Sequence, residues 1–195
     1  MRSLRNCRGL VLESNLRQVV TLSVGQITID DVTISYHGVQ KVVKDNEGRP
    51  VYGGSDLVCT RGGWEALAEL SMTDEVRVGV AQARVYEAAM SAYSGFMASR
   101  RNYDVGQGID AQGRWRSGVL ESSWRSGGAS TAELAAMSAF AQDPTLKVVE
   151  ACSVKQYGRN HEAPPGATVH LRGNDPQDGP IIRYTLVTRA LRRAA

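Results

Sequence analysis

The chain has 195 residues, 42% hydrophobic and 22% charged, which is enough apolar material for a buried core and too much for general disorder. Its formal charge is +3, and the cationic side is almost all arginine: Lys41, Lys44, Lys147 and Lys155 are the only lysines. Guanidinium forks pair bidentately with phosphate and carboxylate and stack on rings, so the bias suits an anionic partner, although GC-rich coding produces the same bias with no function attached.

The cysteines, Cys7, Cys59 and Cys152, are odd in number and scattered, without a C-x-x-C pair, which speaks for a reducing compartment and against a disulfide framework or zinc knuckle. The apolar run from Gly9 to Leu12 is too short for a signal-peptide core, and no stretch approaches the roughly 18 to 20 apolar residues of a membrane span. The expectation is a single domain over 1–195, intracellular and soluble, in a virion or a host cytoplasm. Short basic arms at its ends would carry Arg2, Arg5, Arg8, Arg189, Arg192 and Arg193.

In chain order, Leu16, Val20, Leu22 and Val24 alternate with polar or smaller residues, and Ile27, Ile29, Val32, Ile34 and Tyr36 continue the β pattern. Asp45 to Gly48 forms a turn cluster between Val42-Val43 and Val51-Tyr52, predicting a hairpin with a four-residue loop. A short helix is expected from Trp64 to Leu70. Thr73 then reads as an N-cap followed by acidic Asp74 and Glu75.

The helix opened there is the strongest pattern, running through "TDEVRVGVAQARVYEAAMSAYSGFMASRR" for about 40 Å at 1.5 Å per residue. Val76, Val80, Ala83, Tyr86, Met90, Tyr93 and Met97 make one large apolar face, with Ala81, Ala88, Ala92, Gly95 and Ser99 as a small-residue seam opposite. Val78, Val85, Ala89 and Phe96 fill one flank, leaving a polar wedge of Arg77, Arg84, Glu87, Ser91 and Ser94. A helix apolar most of the way round is buried, either in its own domain or against another subunit.

Residues 103–129 are rich in Gly and Ser and read as a loop or hairpin, with a turn at Asp110 to Gly113 and two Trp-Arg-Ser-Gly units in "GRWRSGVLESSWRSGG". Ser130 and Glu133 fit a capping box for a second helix ending before Pro144 and packing on Leu134, Met137 and Phe140 or Ala141. "TLKVVEACSVKQY", "ATVHLR" and "PIIRYTLVTRAL" return to strand. The predicted class is α+β: a mainly antiparallel sheet from N- and C-terminal strands, one long central helix and one or two short ones. Segregation of strands and helices argues against a doubly wound fold.

Arg100, Arg101, Arg114, Trp115, Arg116, Trp124, Arg125, Arg192 and Arg193 are the candidate nucleic-acid contacts: guanidiniums for phosphates, indoles for stacked bases. Catalysis would have to use Cys59 or Cys152 with His161 or His170, and Asp175 as a third member, yet Cys152 sits in an apolar strand pattern that suits a buried thiol. His37, His161 and His170 lack metal-ligand spacing, and the glycines at 62–63, 106–108 and 127–128 form no phosphate loop. No catalytic residue, metal, cofactor or small-molecule substrate is expected.

The pieces "ACSVKQYGRN" and "IRYTLVTRAL" resemble adjacent sheet strands of single-stranded RNA phage coat proteins over a small part of the chain. Those coats place their helices after the sheet, whereas here both predicted helices precede these strands. The leading expectation is a self-assembling viral or phage structural protein, a homo-oligomer joined through the long helix and sheet edges, with arginines toward nucleic acid. The alternatives are a small non-enzymatic single-strand nucleic-acid-binding accessory protein and a Cys/His-dependent hydrolase.

Overall fold

The computed structural model describes residues 13–192. Eight strands form one sheet in the order β5-β4-β1-β2-β3-β6-β8-β7, and every neighbouring pair is antiparallel. β1 (Arg17–Ile29), β2 (Val32–Lys44) and β3 (Pro50–Arg61) are the central meander. Its first turn is Asp30-Asp31, where Asp30 takes φ 51°, a conformation Asp tolerates better than bulkier residues.

α1 (Trp64–Ala68) and α2 (Asp74–Ser91) carry the chain over one face to the hairpin of β4 (Arg100–Ile109) and β5 (Trp115–Ser123) beside β1. α3 (Ser130–Gln142) then crosses the opposite face to β6 (Leu146–Tyr157), which pairs with β3, followed by β7 (Thr168–Asp175) and β8 (Gly179–Arg192). The antiparallel sheet and three helices match the predicted class at that level.

Strand alternation sorts the apolar residues into two cores, because successive side chains point to opposite faces. Under α3 lie Ile27, Ile34, Tyr36, Leu57, Cys59, Val149 and Ala151, against Ala132, Ala136, Met137 and Phe140 of the helix. Under α1 and α2 lie Leu22, Val24, Tyr103 and Val105, against Leu67, Leu70, Val80 and Ala83. Each helical layer covers about half of the sheet, α2 over β1, β4 and β5 and α3 over β3, β6 and β8.

The long central helix is corrected. α2 stops at Ser91, giving about 27 Å at 1.5 Å per residue, and lies on one face of the sheet. Thr73 caps its start by accepting from the Val76 N–H at 3.4 Å. Its end is broken by successive turns at Ala92, Tyr93 and Phe96 and by Gly95 at φ 78°, so Tyr93 and Met97 never join a helical face and are 67% and 92% exposed.

Nor is α2 buried all round. Its buried stripe is Gly79, Val80, Ala83 and Glu87, while Val78, Val85 and Tyr86 are exposed. Two details of α3 also differ from expectation. Leu134 is exposed, and Glu133 in the first turn is fully buried with its carboxylate on Arg100 and Tyr36, so it makes no capping box; Ser130 instead accepts from the Gly127 N–H at 2.9 Å.

Candidate assembly and nucleic-acid surface

β4 sends its two opening arginines to opposite faces, and each meets a buried carboxylate. Arg100, 6% exposed, donates from Nε to Glu133 Oε2 at 2.7 Å and from Nη2 to Oε1 at 2.8 Å. Its Nη1 donates to the carbonyls of Arg125 and Ser123 at 2.7 and 3.3 Å. The Tyr36 hydroxyl donates to Glu133 Oε1 at 2.6 Å and sits 3.0 Å from Asn102 Oδ1; burial, then the neighbouring carboxylate, hold its pKa well above the ordinary phenol value.

On the other face, Arg101 donates to Glu87 Oε1 at 2.5 Å and the Tyr103 hydroxyl to Glu87 Oε2 at 2.8 Å, which explains how an acidic residue assigned to the polar wedge is buried. Arg100 is thereby removed from the phosphate-contact set: its guanidinium faces inward, satisfied by protein. Arg101, its side chain 22% exposed, is likewise committed to Glu87 and Gln26.

Residues 103–129 are mostly strand. The turn "DAQGR" closes β4 on β5 with the Asp110 N–H on the Arg114 carbonyl at 2.9 Å, while Asp110 Oδ1 accepts from the N–H groups of Gln112 and Arg114. Asp110 Oδ2 takes Arg114 Nε at 3.1 Å and Arg116 Nε at 2.8 Å. These bonds, the Arg114 backbone N–H first, hold the Asp110 carboxyl well below the ordinary carboxylate range.

The turn "DNEGR" between β2 and β3 repeats the device, with the same backbone bonds and Arg49 Nε on Asp45 Oδ2 at 2.8 Å. A D-x-x-G-R turn that recurs at an unrelated place assigns Arg114 to turn closure. The repeat was readable in the sequence, where only the turns themselves were expected.

The two Trp-Arg-Ser-Gly units stand at opposite ends of β5. Trp115 is 45% exposed beside the turn, and Trp124 packs edge-on against Phe96 with ring centroids 5.1 Å apart. Nine strand steps separate them by on the order of 30 Å, so they do not form one stacking platform. Trp115 lies on the α2 side of the sheet and Arg116 on the α3 side, because their partners Ile109 and Gly108 do.

Arg125 and Arg192 keep side chains 74% exposed; Arg125 donates to the Ser126 carbonyl at 3.0 Å and lies 3.9 Å from Glu121, and Arg192 pairs with Asp143 at 3.2 Å. Arg193 and the arginines of the first twelve residues lie outside the described residues. A cleft of about 350 Å³ beside the start of α3 is lined by Ser23, Asn102, Asp104, Glu121, Ser123 and Arg125. Its two carboxylates, Asp104 and Glu121, face Arg125 and the Glu133-paired Arg100, which makes it a polar pocket without a bias toward phosphate.

The family model described as DUF3182, a protein of unknown function, matches residues 2–185. The chain belongs to the DUF3182 family. No curated protein and no solved structure matches it.

In this DUF3182 chain the candidate nucleophiles are poorly placed for chemistry. Cys59 is fully buried and its thiol pKa is pushed up by burial; burial also raises that of Cys152. His170 Nε2 lies 2.8 Å from Thr185 Oγ1, an ordinary strand-to-strand bond. No group of three His, Cys, Asp or Glu that could hold a metal occurs among the described residues, and no described helix is long and apolar enough to cross a membrane.

What sequence periodicity misplaced is the free apolar surface. With 100° per residue, Gln82 and Tyr86 lie on the flank of α2 that faces β5, fixed there by Gln82 donating to the Ser117 carbonyl at 3.0 Å, and Val78 and Val85 lie on the outer face opposite the buried stripe. The opposite flank carries Arg77 and Arg84, the latter paired with Glu65 of α1. Of the exposed apolar residues of the helix, Tyr86 therefore lies toward the open edge of the sheet, and Val78 and Val85 face away from the sheet.

Proposed function

We propose that the chain is a self-assembling structural subunit, of the kind that builds viral or phage coats, which acts by geometry rather than by catalysis. The observation that carries the reading is the β5 edge, which among the described residues pairs with β4 alone, with the exposed Tyr86 of α2 on the same side and the exposed Val78 and Val85 on the outer face of that helix. An open strand edge beside exposed apolar side chains is stabilised by pairing with another chain.

Nucleic acid enters this reading through arginines that the fold leaves accessible. Arg125 and Arg192 are the best placed of the expected contacts, Arg116 follows at 48% side-chain exposure, and Trp115 is the exposed indole. Such contacts are sequence-tolerant and weaken with salt.

The test is size-exclusion chromatography with light scattering, recording the 260/280 nm absorbance ratio in low and high salt, with electron microscopy of any large species. A defined oligomer is expected, carrying nucleic acid at low salt and losing it at high salt. A monomer without nucleic acid under both conditions overturns the reading. A monomer that retains nucleic acid favours the single-strand-binding alternative, in which replacing Trp115 and Trp124 by Ala weakens binding.

A further inference from the structure

We infer that the occupant of the β5 edge is the same edge of a second copy, paired antiparallel about a two-fold axis at Gly118. The inference rests on the assembly reading and gives it a partner, a register and a set of contacts.

The backbone supplies the first argument. The Asp110 N–H to Arg114 carbonyl bond fixes the hydrogen-bonding phase of the β4–β5 hairpin, and alternation from it makes Gly106 and Gly118 a hydrogen-bonded pair. The N–H and C=O groups of Ser117 and Val119 then face away from β4. The Ser117 carbonyl accepts from Gln82, leaving a lone pair, and its N–H is free to donate across the edge.

Charge supplies the second. Arg116 and Glu121 are five residues apart, a spacing that normally puts side chains on opposite faces. The register shift between Asp104 and Val105 inserts Leu120 as a bulge, so Arg116 lies opposite Gly108 and Glu121 opposite Asp104, both on the α3 face. With the bulge counted as one position, pairing Gly118 with the partner's Gly118 puts Ser117 opposite the partner's Val119 and Arg116 opposite the partner's Glu121. It also sets Trp115 over the partner's Ser122. The edge is self-complementary in charge: Arg116 is held by Asp110 through Nε with a side chain 48% exposed, and Glu121, 3.9 Å from Arg125, is 59% exposed.

The third argument is continuity. On the α2 face, the same two-fold axis turns the exposed Tyr86 side of α2 of one copy toward that of the other, across the joined β5 strands and Trp115. The opposite edge, β7, offers no equivalent. Arg172 and Asp175 are three apart on opposite faces with no bulge between them, and α1 and α2 pack on β1 to β5 rather than on β7.

Gly118 is also where the register can be read directly. A Cβ placed there meets no atom within 4 Å, so Gly118→Cys fits the subunit, and a non-hydrogen-bonded antiparallel pair holds its Cα atoms about 4.5 Å apart, within disulfide range. The full chain is used with Cys7→Ser as background; Cys59 and Cys152 are buried. Mild oxidation should convert most of the Gly118→Cys variant into a reducible dimer, and leave Ser122→Cys monomeric on a denaturing gel, because that position faces Trp115 rather than itself. Arg116→Glu should weaken dimerisation severalfold, and adding Glu121→Arg should restore it.

An oligomer by light scattering in which Gly118→Cys stays uncrosslinked, or in which the double charge swap fails to restore what the single swap loses, overturns this register and leaves the assembly reading standing. A chain monomeric at all accessible concentrations overturns both.

Discussion

Replacing Glu133 by Ala tests whether the buried network at the start of α3 holds the two halves of the fold together. The carboxylate is 0% exposed and receives three short bonds, two from Arg100 and one from Tyr36. Without it, a guanidinium whose side chain is 8% exposed keeps only neutral oxygens of Ser123 and Arg125, and the Tyr36 hydroxyl must turn to Asn102. Removing one partner of a buried ion pair costs about 3–5 kcal/mol, because the other charge stays desolvated.

For a chain of this length each kcal/mol moves Tm by about 2–4 °C, so the variant should melt about 6–20 °C below the parent. Urea unfolding should show the same loss at an unchanged slope. The double variant Glu133→Leu with Arg100→Met exchanges the pair for apolar groups and should recover most of it. A loss below about 1 kcal/mol for Glu133→Ala, or a double variant no more stable than the single one, refutes the idea that the pair is a desolvated, mutually dependent unit.

Two further outcomes follow from local geometry. His37 is pushed below its ordinary value of 6.5 by burial, and its Nε2 is buried without a partner among the described residues. The unfolded state therefore binds more protons as pH falls through that value, and stability declines on acidification below about pH 7.5 until the lowered folded-state value is passed. His37→Phe should flatten the Tm profile over this window, and parallel profiles would exclude His37 as the group responsible. Gly25→Ala directs a Cβ onto the Arg101 carbonyl and the Tyr36 hydroxyl and should cost about 1–3 kcal/mol in chemical unfolding, whereas Gly118→Ala, with open space around it, should be nearly neutral. Equal costs at the two positions would contradict the close approach at Gly25.

The sequence by itself determined the local features, because they depend on neighbours in the chain. Alternation marked the strands, Thr73 marked the start of α2, and the Asp-to-Gly clusters at 45–48 and 110–113 marked two hairpin turns. Tertiary structure decided what those elements face. Periodicity could not show that Glu87 and Glu133 are drawn into the interior by Arg101 and Arg100, since each pair is separated along the chain and meets only when a helix lands on the sheet. Nor could it show that the Tyr93 and Met97 end of the predicted helix unwinds at Gly95, or that an edge bulge at Leu120 brings Arg116 and Glu121 onto one face. A side chain's partner is set by strand order and register, and those emerge only when the whole sheet closes around its two cores.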